Sequence, residues 1–287
     1  MSIAPVLAAA WRVLFLTASA PLIGGVLLAA IGRVTGARWT DALAPPAATR
    51  LVIVGAAVLG FAQMATPLPP HLALWMNPGL VGVRAVIACG MLAFAGVRLA
   101  GGASVTFAAV MLALYAAFVT PVAMDWLLGE VPGHTVSSAG MMLFVEQIAG
   151  ACALVLVLGR GDARFRADMA KLMVAAALGL GYLIFMDYLI LWFGNLPSRV
   201  GFYVVRSSPW GAVAVWMALI AGLATPVALL RLRPGRSGER AAGVAVLIAL
   251  FVTNGWWVGG GVAVWLSAAA GLALIAAGVG WWSRAHG

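Results

Sequence analysis

Charge is scarce in this chain: 9% of its 287 residues are charged, while 64% are hydrophobic. With a mean hydropathy of +1.07, it carries more apolar surface than a soluble domain of this length can hide. Cysteine is nearly absent, and Cys89 and Cys152 both lie inside apolar runs. Without CxxC, CxxCH or another spaced ligand set, no c-type haem, iron–sulfur cluster or metal site is expected. The three histidines, His71, His134 and His286, fall in loops or at the terminus. A membrane b-haem needs histidines on facing helices, so a cytochrome b is not expected either. Lysine occurs once, at Lys171. The formal charge of +9 does not point to nucleic acid, because the basic residues are scattered between apolar segments and read as topology signals. Residues 1–10 hold no positive charge ahead of the first apolar stretch, and Arg12 follows it, so a retained helix is expected rather than a cleaved signal peptide.

What the chain does have is long apolar segments. About 20 such residues cross a bilayer, and the expected spans lie near 13–31, 51–66, 78–97, 103–123, 138–158, 172–194, 209–230, 241–258 and 261–282. The expected fold is therefore all-α, a single integral membrane domain of about nine helices. Glycines 259–261 separate the last two spans as a turn, or alternatively kink one longer helix. One set of loops holds Arg33, Arg38, Arg50, Arg98, Arg160, Arg164, Arg166, Lys171, Arg231, Arg233, Arg236, Arg240 and Arg284, the other only Arg199 and Arg206, with Arg12 at its edge. The basic loops belong in the cytoplasm. This predicts an N-terminus outside and a C-terminus inside.

Three spans carry an ionisable residue, and a charge in hydrocarbon costs about 2.5–3.5 kcal/mol on insertion scales, so such residues mark pathways, relays or buried pairs. At 1.5 Å per residue, Arg84 lies ~9 Å, Glu146 ~12 Å and Asp187 ~10 Å below the outer end of its helix. Gln63, Gln147, Tyr188 and Asn254 fall in the same outer half. A shared depth is what one common site requires, with Arg84 paired to Glu146 or Asp187. The plainer alternative is a structural ion pair that pins helices together. Asp125, at a helix end, reads equally as a solvated or capping residue. Trp126, Trp192, Trp210, Trp256 and Trp257 read as an interfacial belt, and Gly24-Gly25 as a close helix contact.

Several stretches resemble one family: Thr35-Gly36-Ala37-Arg38-Trp39; Leu74-Trp75-Met76-Asn77 with Arg84; Met124-Asp125-Trp126-Leu127-Leu128; and the run from Asp187-Tyr188 through Trp192-Phe193-Gly194-Asn195-Leu196-Pro197, followed by Tyr203, Arg206 and Trp210. In this order they look like the ActF-type membrane subunit of alternative complex III, related to polysulfide-reductase (NrfD-like) membrane subunits. The match runs from about residue 13 to 260, and Trp-Phe-Gly-Asn-Leu-Pro is its most specific part. The resemblance implies paired four-helix bundles in a bacterial inner-membrane quinol:cytochrome c oxidoreductase, whose haem and iron–sulfur subunits are partners of this one. It implies a role in quinone binding or proton transfer near the outer face. Asp187, Glu146, Asp125 and Arg84 are then the relay or ion-pair candidates, and Tyr188, Trp192, Asn195, Trp126 and His134 the quinone site and its rim. The chain departs from the pattern where Met186-Asp187 replaces a Ser-Gln pair, where Gly32 and Arg33 replace two histidines, and at Thr253-Asn254-Gly255-Trp256, which lacks the usual acid. Other classes are a scaffold subunit that binds no quinone, and a small-solute transporter. The latter lacks the internal repeat and midplane polar residues it needs.

Overall fold

The computed structural model describes residues 3–37, 73–127, 138–195, 197–259 and 261–285, with the backbone alone at 3, 198 and 275–285. Every regular element among them is helical: α1 (Ile3–Thr35), α2 (Pro78–Ala100), α3 (Val105–Trp126), α4 (Ala139–Leu158), α5 (Ala163–Phe193), α6 (Pro197–Arg206), α7 (Pro209–Leu232), α8 (Arg236–Val258) and α9 (Val262–Ala285). Seven of these, α1 to α5, α7 and α8, are long and apolar enough to cross a membrane, and the protein is a polytopic membrane protein. The segment expected at 51–66 lies outside the described residues.

The starts of the helices are written locally. Asn77 accepts the Gly79 amide (2.9 Å) with Pro78 at the first helical position, Ser104 accepts from Phe107 (3.2 Å), Asp162 from Phe165 (2.7 Å) and Ser208 from Gly211 (3.2 Å). Each supplies an oxygen to an amide that has no partner inside its helix, and proline costs nothing where its missing N–H is not needed. The Asp162 cap starts α5 nine residues before the expected span. Its 31 residues rise ~46 Å against a hydrocarbon core of ~30 Å. The extra turns carry Arg164, Arg166, Asp168 and Lys171, residues that hydropathy alone trims away.

The centre of the protein is α4, which packs against α1, α3, α5 and α8. Its run Ala149-Gly150-Ala151-Cys152-Ala153 is buried all round, and such small side chains let several helices approach at once. The close approaches are visible at glycine. A Cβ on Gly24 of α1 would run into the Gln147 carbonyl, and one on Gly243 of α8 would come within 2.6 Å of the Ala153 carbonyl. On one side α1, α2, α3 and α4 pack around one another. On the other, α5 and α8 lie against α4, and α7 against α8; α9 lies against α1. The turns between α4 and α5 and between α7 and α8 meet at one end. There Arg166 pairs with Glu239 at 2.7 Å and Arg240 donates to the Val157 carbonyl at 3.0 Å. Helices α8 and α9 are separate, broken at Gly259, whose φ of +81° suits glycine.

Candidate functional site

The ionisable residues of the spans do not converge. They form three polar groups on different sides of the protein, which corrects the expected pairing of Arg84 with Glu146 or Asp187. The reason is angular. Depth along a helix follows from sequence, but the direction of each side chain around its axis depends on which neighbours surround that helix.

The first group joins α2 and α3. Arg84 makes a two-pronged ion pair with Asp125, Nε to Oδ2 at 2.7 Å and Nη2 to Oδ1 at 2.8 Å. Its Nη2 also donates to the Trp75 carbonyl at 2.6 Å, and its guanidinium stacks 4.4 Å from the Trp75 ring. These helices are neighbours joined by the short turn at 101–104, so the start of one stands beside the end of the other. Asp125 is 3% exposed, which corrects its reading as a solvated or capping residue. From sequence, Arg12 reads as a topology signal at the edge of the first span, whereas the structure places it inside. It is buried, because α1 begins at Ile3, well ahead of the expected span. An arginine nine residues into an apolar helix was the signal to read. Trp126 is buried edge-on against Phe15 at 5.0 Å. It packs this bundle and does not line the apolar cavity described below.

The second group lies between α1, α4 and α8. Asn254 Nδ2 donates to Glu146 Oε1 at 2.6 Å and to Thr17 Oγ1 at 3.3 Å. On the next residue, Gln147 Oε1 accepts from the Tyr115 hydroxyl at 2.7 Å. Glu146 is fully enclosed, and among the described residues no cation comes within ion-pair reach of it.

The third group holds Asp187. The Tyr203 hydroxyl donates to Asp187 Oδ2 at 2.6 Å, bringing α6 onto α5. Burial, the hydrogen bond to Asp187 and that carboxylate's charge all push the Tyr203 phenol above its ordinary range. The expected spans end at 194 and resume at 209, which predicts that residues 194–208 form a loop. They contain instead the amphipathic α6, started by Pro197, which turns Phe202, Tyr203 and Arg206 inward. Arg206 donates from Nε to the Trp256 carbonyl and from Nη2 to the Trp257 carbonyl, both at 2.8 Å. A guanidinium there satisfies carbonyls that the last turn of α8 leaves open and opposes the helix dipole. Trp256 and Trp257 are buried against Phe202, with ring centroids 5.6 and 5.1 Å away. Neither belongs to an exposed belt. Trp192 and Trp210 are 69% and 74% exposed.

Beside the Tyr203–Asp187 pair opens an apolar cavity of about 500 Å³, bounded by α5, α7 and α8 and closed at one end by Tyr203 and Arg206 of α6. That volume falls in the range of small-molecule sites. Tyr188 lines it; Trp192 and Asn195 do not, both facing outward, Asn195 with φ +44°. The cavity exists because α7 leans on α8 and leaves α5. At its far wall α7 contains a wide π-helical turn, Ile220–Ala224. Pro226 has no N–H for the Gly222 carbonyl and its ring crowds that turn, so the helix widens there. His134 and Gln63 lie outside the described residues. Among the described residues no three histidine, cysteine or acidic side chains gather as a metal site would require. A scan against protein-family models and a search of curated proteins each find no match.

Proposed function

We propose that the protein is a membrane subunit of a respiratory quinol oxidoreductase, of the kind its motifs resemble, and that it handles quinone and its protons at the Tyr203–Asp187 end of the apolar cavity. The observation that carries this reading is a hydroxyl–carboxylate pair at 2.6 Å set at the polar end of a cavity whose other walls are apolar. A quinol needs that combination: an apolar slot for its body and, at the head group, a group to take a proton. Oxidation releases two protons and two electrons. The electrons require haem or iron–sulfur partners, while this chain supplies the proton acceptor, Asp187, through the Tyr203 hydroxyl. The Arg84–Asp125 pair is then structural. The basic turns around Arg160, Arg164, Arg231, Arg233 and Arg236 support a cytoplasmic placement of that end, in a bacterial inner membrane, with α6 at the outer face.

The test is Asp187→Asn in the membranes of cells that make the complex. Quinol-dependent turnover falls about 10- to 100-fold, at the low end of a general acid–base contribution, with the subunit still assembled. Unchanged turnover in an intact complex removes Asp187 from the chemistry and favours a scaffold that binds no quinone.

A further inference from the structure

The walls of the cavity carry a second message. Along α5 the lining runs from Ala177 to Tyr188, and along α8 from Val246 to Trp256, each ~15 Å or more at 1.5 Å per residue. With about 500 Å³ of volume, this is a slot rather than a ball, the shape of a chain with a small head. It is open on the flank between α5 and α7, where the lining side chains of Phe185 and Trp216 are 55% and 65% exposed.

The donors at the closed end are not equivalent. The Tyr203 hydroxyl is committed to Asp187, and the Arg206 guanidinium to the carbonyls at the end of α8. Trp256 also lines the slot and is only 8% exposed, yet among the described residues its indole N–H finds no acceptor. A buried donor left unpaired costs about 1–3 kcal/mol, a cost that a bound acceptor removes.

Resting on the quinone-handling role proposed above, we infer that Trp256 is the binding residue that selects the head group. Its indole N–H donates to a carbonyl oxygen of a ring ligand whose apolar tail runs down the slot toward the π-helical turn and enters sideways from lipid between α5 and α7. The ligand class is a lipid-soluble quinone in its carbonyl form.

The experiment compares decylubiquinone with decylbenzene, which has a tail of the same length and no carbonyl, for binding to the purified full chain in detergent. Trp256→Phe keeps a ring against Phe202 and loses only the donor. The wild type is expected to hold decylubiquinone about tenfold more tightly than this variant does, the worth of one buried hydrogen bond, with decylbenzene unaffected. Ile184→Trp, placed on the slot wall, weakens both ligands. Equal decylubiquinone binding by wild type and Trp256→Phe overturns the role of Trp256 while leaving the quinone reading in place. Equal retention of the two ligands by the wild type overturns head-group selection. A wild type that binds neither, or that carries only phospholipid in its slot, overturns this inference and the proposed function together.

Discussion

Arg84 and Asp187 each stand six residues from the end of a helix and serve different ends. Arg84 is spent on Asp125, a fork of two bonds at 2.7 and 2.8 Å, and the carboxylate is the more deeply enclosed partner. Removing the arginine leaves that carboxylate buried with its main counter-charge gone, which costs about 3–5 kcal/mol for an enclosed pair and less here, where Arg84 is partly open. Arg84→Met is therefore expected to lower thermal stability in detergent, and the double variant with Asp125→Leu to recover most of the loss. A single variant as stable as wild type contradicts a structural pair. Tyr203 gives a second residue-scale prediction. Its phenol is pushed up by burial and by Asp187. The neutral form is the one the fold favours, so its stabilising effect is complete below the ordinary phenol range near pH 10 and is lost as pH climbs above it. The melting temperature of wild type is expected to fall more steeply above about pH 10 than that of Tyr203→Phe. Parallel curves contradict it. Polarity and depth of these residues were legible in the sequence. Their partners were not, because Asp125 and Tyr203 are brought to Arg84 and Asp187 by packing around the helix axes.

At the scale of elements, eight of the expected segments overlap α1 to α5 and α7 to α9, of which all but α9 are long and apolar enough to cross a membrane, and caps at Asn77, Ser104, Asp162 and Ser208 set where four of them start. What periodicity missed are features without a long hydrophobic run. α6 has ten residues, too few for a span, and its signals were Pro197 at the start and an inward stripe at Phe202, Tyr203 and Arg206. The π-helical turn was announced only by Pro226. α6 is held down at its end by Arg206 on the last carbonyls of α8. Arg206→Met removes these charge-assisted bonds and is expected to speed trypsin cleavage at the exposed Arg199 about tenfold, because cleavage follows the population of the opened segment. Unchanged cleavage means that the aromatic contacts of Phe202 and Tyr203 hold α6 unaided.

For the whole molecule, composition pointed to the class: so much apolar surface, in a chain whose described elements are all helical, belongs in a membrane. The cavity was beyond sequence reasoning. It is a gap between α5 and α7, set by how both helices lean on α4 and α8, and no single segment encodes an empty space. The resemblance offers Tyr188 as a quinone-site candidate, whereas Thr253 and Trp256 emerge as lining residues only when α8 is seen beside α5. The central claim, that a quinone occupies this gap, is tested most directly by photolabelling the protein in its native membranes with an azidoquinone and mapping the labelled peptides. The account predicts label on α5, α7 and α8 between Ala177 and Trp256, displaced by excess unlabelled quinone. Label confined to other helices, or label that excess quinone fails to displace, would contradict it.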